Sequence, residues 1–262
     1  MERNSSESVF EADEGATDWH RRVVGRSLDG ARRRSIDRGA RLIRAAATVL
    51  ERNGGESLTV QEVADEAGQS LRTLYQYFAS KDDLLLAVFE EAMGTYARLI
   101  RAAVEGLDDP VERLSGALIG SVRMPALHDK HGVDRGLSRL RLQLGQAEPA
   151  LLARSQEPVT SLFRELVGAA LAATPSEHLG IDQGTYFVST ARSSFTLSAT
   201  LGKDLDLELP DPIDLSVFCL NGLGIQRPRA WHEGVDTRLA LGGTDGRSIL
   251  RRLSRDPKAG RR

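Results

Sequence analysis

Eight consecutive residues, 70–77 in the segment SLRTLYQY, carry a high concentration of hydrogen-bonding side chains. An arginine can donate two parallel hydrogen bonds to guanine, a glutamine can pair with adenine, and hydroxyl groups reach phosphate oxygens. This combination predicts contact with double-stranded DNA. The candidate contact residues, including flanking positions, are Thr59, Gln61, Ser70, Leu71, Arg72, Thr73, Tyr75, Gln76, Tyr77 and Lys81.

The surrounding pattern predicts two short helices joined by a glycine turn. Thr59 can cap the first helix, Gly68 suits a turn that needs positive φ, and Ser70 can cap the second. Helices joined in this way form a helix-turn-helix. Leu74 and Phe78 lie four residues apart, so they should face a core. The remaining positions should point outward: Leu71, Arg72, Thr73, Tyr75 and Gln76.

The first turn of a recognition helix enters the major groove. Arg72 lies there and could read guanine, while Gln76 could read adenine and Leu71 a thymine methyl group. Lys81, beside the Ser80 cap of the next helix, could hold a phosphate together with nearby amides. Alternatively, the tyrosines are packing residues and the charges only a solvated surface. The joint spacing of caps, glycine, aromatic residues and lysine favours the groove-reading interpretation.

The composition is that of an ordinary globular protein, with 262 residues, 40% hydrophobic and 27% charged. Residues 1–20 contain six acidic residues and one arginine, whereas residues 21–81 contain twelve basic and seven acidic residues. The arginines of residues 21–38 could form an arm along DNA. The single cysteine, Cys219, fits a reducing compartment, and no apolar run approaches the ~20 residues of a membrane helix. We expect a cytoplasmic protein without a membrane partner.

Helical periodicity predicts an all-α fold in four segments. Residues 1–30 are expected to be a disordered acidic leader, and residues 31–82 a tri-helical head whose first helix begins near Ser35. Residues 83–225 should form a larger helical body, and residues 226–262 a loose tail with a possible short helix at 248–253. The long helix after Ser80 should join head to body, so tilting it would move the head.

The body should contain further helices over residues 110–127, 133–143, 149–173, 182–201 and 212–223. Asp211 can cap the last of these with Pro212 in its first turn. That helix is apolar nearly all round, so we expect it to be buried.

The body also carries candidate ligand-binding residues. Arg192 lies in an apolar helix and could bind an acidic group of a ligand, or it could pair with a carboxylate at a surface. The other candidates are Arg139, Arg141 and Tyr186. His128 and His131 lie near Asp134 in the sequence, which is a conceivable metal cluster. Two histidines in a glycine-containing loop without a third committed ligand are a weak signal, so we predict no metal site.

Enzyme motifs are missing from the sequence. It contains no G-x-S-x-G elbow, no phosphate-binding P-loop and no H-E-x-x-H motif, and its short glycine clusters lack the context of a dinucleotide loop. We therefore predict no catalytic residues and no cofactor.

The segments LIRAAATVL, LTVQEVADEAG, TLYQYF and SKDDLL, within residues 41–89, resemble the TetR family of bacterial transcriptional regulators. Gln69 stands where the family usually has an apolar valine, and Arg72 where it often has glycine. The resemblance implies a homodimer that represses transcription at a palindromic operator until a small molecule binds the body. It also implies a dimer interface on two late helices, with candidates Phe187, Ala191, Phe195, Ile213, Val217, Phe218 and Leu220.

Two rival functions are compatible with the same sequence. An architectural DNA binder would show affinity that depends on salt but hardly on base sequence. A helical carrier or enzyme with a vestigial head would bind a compound but select no DNA fragment.

Overall fold

The structure, a computed structural model, describes residues 18–53, 57–128, 137–138, 140–142, 145–146, 149–175, 179–201 and 210–241. These residues contain helices and no strand, as the predicted all-α fold class requires. Ten helices have defined bounds: α1 (Asp18–Arg52), α2 (Val60–Glu66), α3 (Leu71–Tyr77), α4 (Lys81–Val104), α5 (Pro110–His128), α6 (Pro149–Ser155), α7 (Glu157–Ala173), α8 (Ile181–Leu201), α9 (Pro212–Gly222) and α10 (Arg229–Leu241).

The chain divides into two units, Met1–Leu42 and Ile43–Arg262, at a boundary inside α1. The described part of the first unit is helical from Asp18, so the predicted helix start near Ser35 is wrong, and so is the predicted disorder for residues 18–30. Residues 1–17 lie outside the described residues. No proline interrupts residues 18–42, and arginine, leucine and alanine are good helix formers. The arginines of the predicted arm therefore lie on a helix.

The second unit begins with a small apolar core to which the end of α1, both α2 and α3, and the start of α4 contribute buried side chains. Leu74 is fully buried and Phe78 is nearly so, as their four-residue spacing predicts. An ion pair of 3.1 Å between Arg52 and Glu66 links the end of α1 to α2. The other core side chains are Ala46, Val49, Leu50, Leu58, Val63, Ala64 and Leu84.

Helix α5 is the centre of the larger helical body, because it packs against α4, α7, α8, α9 and α10. Its small residues permit this close packing. A Cβ atom added at Gly116 would come within 3.1–3.3 Å of side-chain carbons of Leu107, Leu239 and Val104. The bulkier residues of α5 fill the spaces between the neighbouring helices, and Leu114, Leu118 and Ile119 are fully buried.

Helix α10 lies within residues 226–262, which were predicted to be a loose tail, so that prediction is wrong for α10. His232 and Val235 have no exposed surface. Arg123 of α5 pairs with Asp236 at 2.7 Å, and Arg238 pairs with Glu112 of α5 at 2.6 Å. These long-range contacts stabilise a helix whose own sequence is mostly polar. The possible helix at 248–253 lies outside the described residues.

Two predictions for the later helices are also corrected. The predicted helix over 149–173 is broken at Gln156, because α7 starts with Pro158 in its first turn, and proline has no N–H to continue α6. The predicted burial of all of α9 fails at Phe218, which is 69% exposed. The predicted helix over 133–143 lies partly outside the described residues.

The buried His232 should make the stability of the folded chain depend on pH. Its Nδ1 atom lies 3.1 Å from the Ser115 hydroxyl and 3.0 Å from the Ser216 hydroxyl. Burial lowers the pKa of His232, so the unfolded chain binds more protons on acidification. Stability should therefore fall as the pH drops below about 6.5, the value of an unperturbed histidine.

The measurement is the Tm of the wild type and of His232→Gln between pH about 7.5 and about 5.5. The variant cannot titrate at this position, so the Tm of the wild type should fall relative to that of the variant as the pH is lowered. A wild-type Tm that stays constant or rises relative to that of the variant would contradict the assigned role of His232.

Candidate functional site

The turn between α2 and α3 is fixed by backbone and capping interactions. Gly68 has a φ of 61°, a conformation that favours glycine. The amide of Gln69 donates to the Ala64 carbonyl at 2.9 Å, so the turn keeps its backbone hydrogen bond although Gln69 is polar. Ser70 caps α3 by accepting from the amide of Thr73 at 3.1 Å. The predicted caps Thr59, Ser70 and Ser80 are all confirmed.

Helix α3 presents a polar surface opposite its buried residue Leu74. Arg72 and Gln76 are exposed, and Tyr75 is 52% exposed. The flanking candidates Thr59, Gln61, Ser70 and Lys81 are also exposed, whereas Leu71, Thr73 and Tyr77 are half-buried. All ten candidates thus keep some accessible surface in the described head, and their role in DNA contact stays a prediction.

Some of the predicted phosphate ligands already make internal hydrogen bonds. The Thr59 hydroxyl donates to the Glu62 carboxylate at 2.7 Å, and this bond, with others, lowers the pKa of Glu62. The Ser70 and Thr73 hydroxyls lie 2.9 Å apart, so one donates to the other and one hydrogen stays available. Because phosphate oxygens only accept, the Ser70–Thr73 pair is a better phosphate ligand than Thr59.

Arg72 and Lys81 supply the positive charge of this surface. Neither forms an ion pair with the residues that the structure describes. Lys81 is the first residue of α4, where Ser80 accepts from the Asp83 amide at 3.1 Å and the Asp83 carboxylate accepts from the Ala79 amide at 2.9 Å. The cap therefore fixes the backbone at Lys81 while its ammonium group stays available to an external anion.

A second candidate site lies in the body around two arginines. Arg192 on α8 is 8% exposed and Arg141 is half-buried. Arg141 donates to the Ser193 carbonyl at 3.1 Å, and Arg192 donates to the Ser193 hydroxyl at 3.2 Å. Burial lowers the pKa of Arg192, and burial together with the charge of Arg192 lowers the pKa of Arg141.

Several residues around Arg192 were not among the candidates identified from the sequence. Phe163 of α7 lies under its guanidinium, 5.1 Å from the ring centroid, and Tyr96 of α4 interacts with it. Ser189 lies one helical turn before it, and that three-residue spacing on an apolar helix is a signal that could have identified Ser189. Tyr96 and Phe163 carry no comparable signal, because their spacing is that of ordinary core residues.

The remaining candidates on α8 and α9 are Tyr186 and the residues predicted for a dimer interface. Tyr186 is 67% exposed and packs edge-on against Phe187, and its role as a ligand residue stays a prediction. Ile213 and Leu220 are 5% and 0% exposed, so they belong to the core and not to a dimer interface. Phe187 and Phe218 are exposed, while Ala191, Phe195 and Val217 are half-buried.

The described residues lack both a metal-binding cluster and a membrane-spanning helix. No group of three or more metal-ligating side chains occurs among them, and none of their helices is long and apolar enough to cross a membrane. Arg139, His131, Asp134 and the side chain of His128 lie outside the described residues.

The fold and the exposed surface of α3 define a helix-turn-helix protein with a larger all-helical body. Residues 42–88 match the family model described as bacterial regulatory proteins, tetR family. This segment contains α2, α3, their glycine turn and the start of α4. In this segment the chain is therefore similar to the regulatory proteins of the TetR family.

Two curated relatives match over less than a third of this chain. The HTH-type transcriptional regulator HbdR of Aromatoleum sp. (strain CIB) is 37% identical over 82 residues, which are 31% of this chain and 36% of that protein. The HTH-type nicotine-responsive transcriptional repressor HdnoR of Paenarthrobacter nicotinovorans is 36% identical over 75 residues, 29% of this chain and 39% of that protein. The match thus spans well under half the length of either relative.

Two solved structures share the fold over most of this chain. RolR in complex with resorcinol aligns with a TM-score of 0.60 and 22% identity, over 79% of this chain and 96% of that one. FadR from Bacillus subtilis in complex with stearoyl-CoA aligns with a TM-score of 0.52 and 20% identity, over 70% and 96% of the two chains. At these identities the likeness concerns the fold.

Gly68→Ala should destabilise the head by about 1–2 kcal/mol, because an L residue with a side chain is strained at positive φ. No atom lies within 4 Å of a Cβ added there, so the cost would come from the backbone alone. The measurement is the urea-induced unfolding of the full chain, with hydrogen exchange of residues 60–77 as a local readout.

Gly120→Ala is the matched control. This glycine lies within α5, and a Cβ added there also meets nothing within 4 Å. Alanine should stabilise this helix position by roughly 0.5–1 kcal/mol. If both variants changed stability alike, φ at Gly68 would not be the cause.

Proposed function

We propose that this protein is a DNA-binding transcriptional regulator of the TetR type, a homodimeric repressor that leaves a palindromic operator when a small molecule binds. The observation that carries the proposal is the orientation of α3. Leu74 and Phe78 bury one side of the helix, so Arg72 and Gln76 are presented to solvent. These are the side chains suited to guanine and adenine.

The relatives support the regulatory part of this proposal. HbdR is named a transcriptional regulator and HdnoR a nicotine-responsive transcriptional repressor. The RolR and FadR structures contain resorcinol and stearoyl-CoA. By analogy, the body of this chain would receive a small-molecule effector, and the protein would act in the cytoplasm.

Exposed aromatic residues support the homodimer. Tyr186 and Phe187 on α8 and Phe218 on α9 are 67%, 57% and 69% exposed, and these two helices are in contact. A cluster of large apolar side chains at a surface is typical of an interaction site. Aromatic residues are also enriched in protein interfaces. A second copy of the chain would cover this surface.

Arg72→Ala should reduce affinity for a selected DNA fragment by about 1–3 kcal/mol and relax base preference at one position in each half-site. Lys81→Ala should instead weaken binding to all sequences and reduce the salt slope by about one per head. Both effects can be measured by fluorescence anisotropy over a series of salt concentrations and single-base operator variants.

Arg164→Ala is the control for loss of one positive charge, since Arg164 is exposed on α7 and pairs with Asp182. It should leave affinity and base preference unchanged. If Arg72→Ala behaved like this control, the assignment of Arg72 as a base-reading residue would be wrong.

Phe218→Glu should convert the dimer to monomers, because a carboxylate would be buried without a partner in the apolar interface. Ile36→Glu places the same charge on another exposed apolar residue, 60% exposed on α1, and should leave the dimer intact. Light scattering after size-exclusion chromatography gives the mass of each variant. A folded dimer of Phe218→Glu would place the interface elsewhere.

A further inference from the structure

Two positively charged side chains converge inside the body. The guanidinium groups of Arg141 and Arg192 both donate to Ser193, one to its carbonyl and one to its hydroxyl. They are therefore close neighbours, and their charges repel each other. Arg192 is more than nine-tenths buried, so water screens little of this repulsion.

No negative charge among the described residues balances this pair. None of the ion pairs of the described residues includes Arg141 or Arg192, and the charged environment of the two arginines contains no described carboxylate. The groups near Arg192 that could carry a negative charge are Tyr96 and Cys219. The Tyr96 hydroxyl donates to the Ser121 carbonyl, and burial raises the pKa of Cys219 to about 12, so the thiol keeps its proton at neutral pH.

Two buried polar atoms beside this pair have no hydrogen-bond partner in the described structure. They are Nε of Arg192 and Oγ of Ser189. The two residues are three positions apart on α8, so they lie on the same side of the helix. Buried donors without partners are rare in folded proteins, so each calls for an explanation, and a bound acceptor is one. Both atoms can donate a hydrogen bond, so both suit an acceptor with negative charge.

We infer that Arg192, Arg141 and Ser189 form a binding site for the carboxylate group of a small organic acid. This rests on the proposed function, because the acid would be the effector. Two partnerless donors match the two oxygens of a carboxylate, and an arginine edge binds a carboxylate through parallel hydrogen bonds. The Phe163 ring and the neutral Cys219 thiol favour an acid with an apolar remainder.

The contact with Tyr96 connects this site to the DNA-reading head. Tyr96 belongs to α4, whose first residue is Lys81. A carboxylate that draws Arg192 toward itself would change the interaction between Arg192 and Tyr96. Since α4 is a continuous helix, a displacement at Tyr96 reaches the cap at Ser80.

The test uses the full-length protein with benzoate and hexanoate, their neutral counterparts benzamide and hexanamide, and inorganic phosphate. Binding is measured by calorimetry and by the shift in Tm. At least one carboxylate should bind roughly ten- to hundredfold more tightly than its amide. Arg192→Met should lose this preference, whereas Arg164→Met, which removes an exposed arginine, should retain it.

A second measurement needs no ligand. Methionine at position 192 fills similar space without a charge, so the unliganded Arg192→Met variant should have a Tm no lower than the wild type. A large fall in Tm would show that Arg192 is a structural residue paired inside the chain, and would overturn the inference. The inference would equally be overturned if amides bound as well as acids, if only phosphate bound, or if no carboxylate bound.

These readouts contain no DNA and are therefore independent of the repressor proposal. Carboxylate binding without selection of any DNA fragment would contradict the proposed function and leave the site in place. If the protein bound DNA selectively but bound none of the carboxylates, the inferred site would be wrong and the proposed function would stand.

Discussion

The continuity of α4 is the constraint on which the relation between the two candidate sites depends. Its first residue, Lys81, lies beside the DNA-reading helix, and Tyr96 interacts with the buried Arg192. Fifteen residues of helix separate these positions by about 22 Å. Side chains between these two positions are buried, including Val88, Phe89 and Ala92, so this stretch of α4 is packed against its neighbours. If an acid binds at Arg192 as inferred, α4 is the element that would carry its effect to the head.

The head could be predicted in detail because its signals are local. Thr59, Ser70 and Ser80 are caps that act on amides three residues away, and Gly68 meets a backbone requirement of a single position. The burial of Leu74 and Phe78 follows from a spacing of one helical turn. Once these residues are placed, the direction of Arg72 and Gln76 is determined. The sequence did not show which hydroxyl groups form hydrogen bonds inside the head, such as the bond from Thr59 to the Glu62 carboxylate.

The body was less predictable because its structure depends on partners distant in sequence. Helix α10 is stabilised by ion pairs from Arg123 and Glu112, more than a hundred positions before it. The exposure of Phe218 and the burial of Leu220 cannot be distinguished by composition, because both residues are apolar and lie on one short helix. Arg192 was noticed as a charged residue in an apolar helix. Only the structure showed that the described residues place a second arginine beside it and no carboxylate.

The most direct test of the central claim, that α3 reads base sequence, is a competition measurement with the purified full-length protein. A fragment selected from genomic DNA is compared at fixed salt with a scrambled fragment of the same length and base composition. The selected fragment should bind roughly a thousandfold or more tightly, as expected for specific readout. A difference of only a few-fold, with equally strong salt dependence for both fragments, would contradict base reading by α3 and indicate a sequence-tolerant DNA binder.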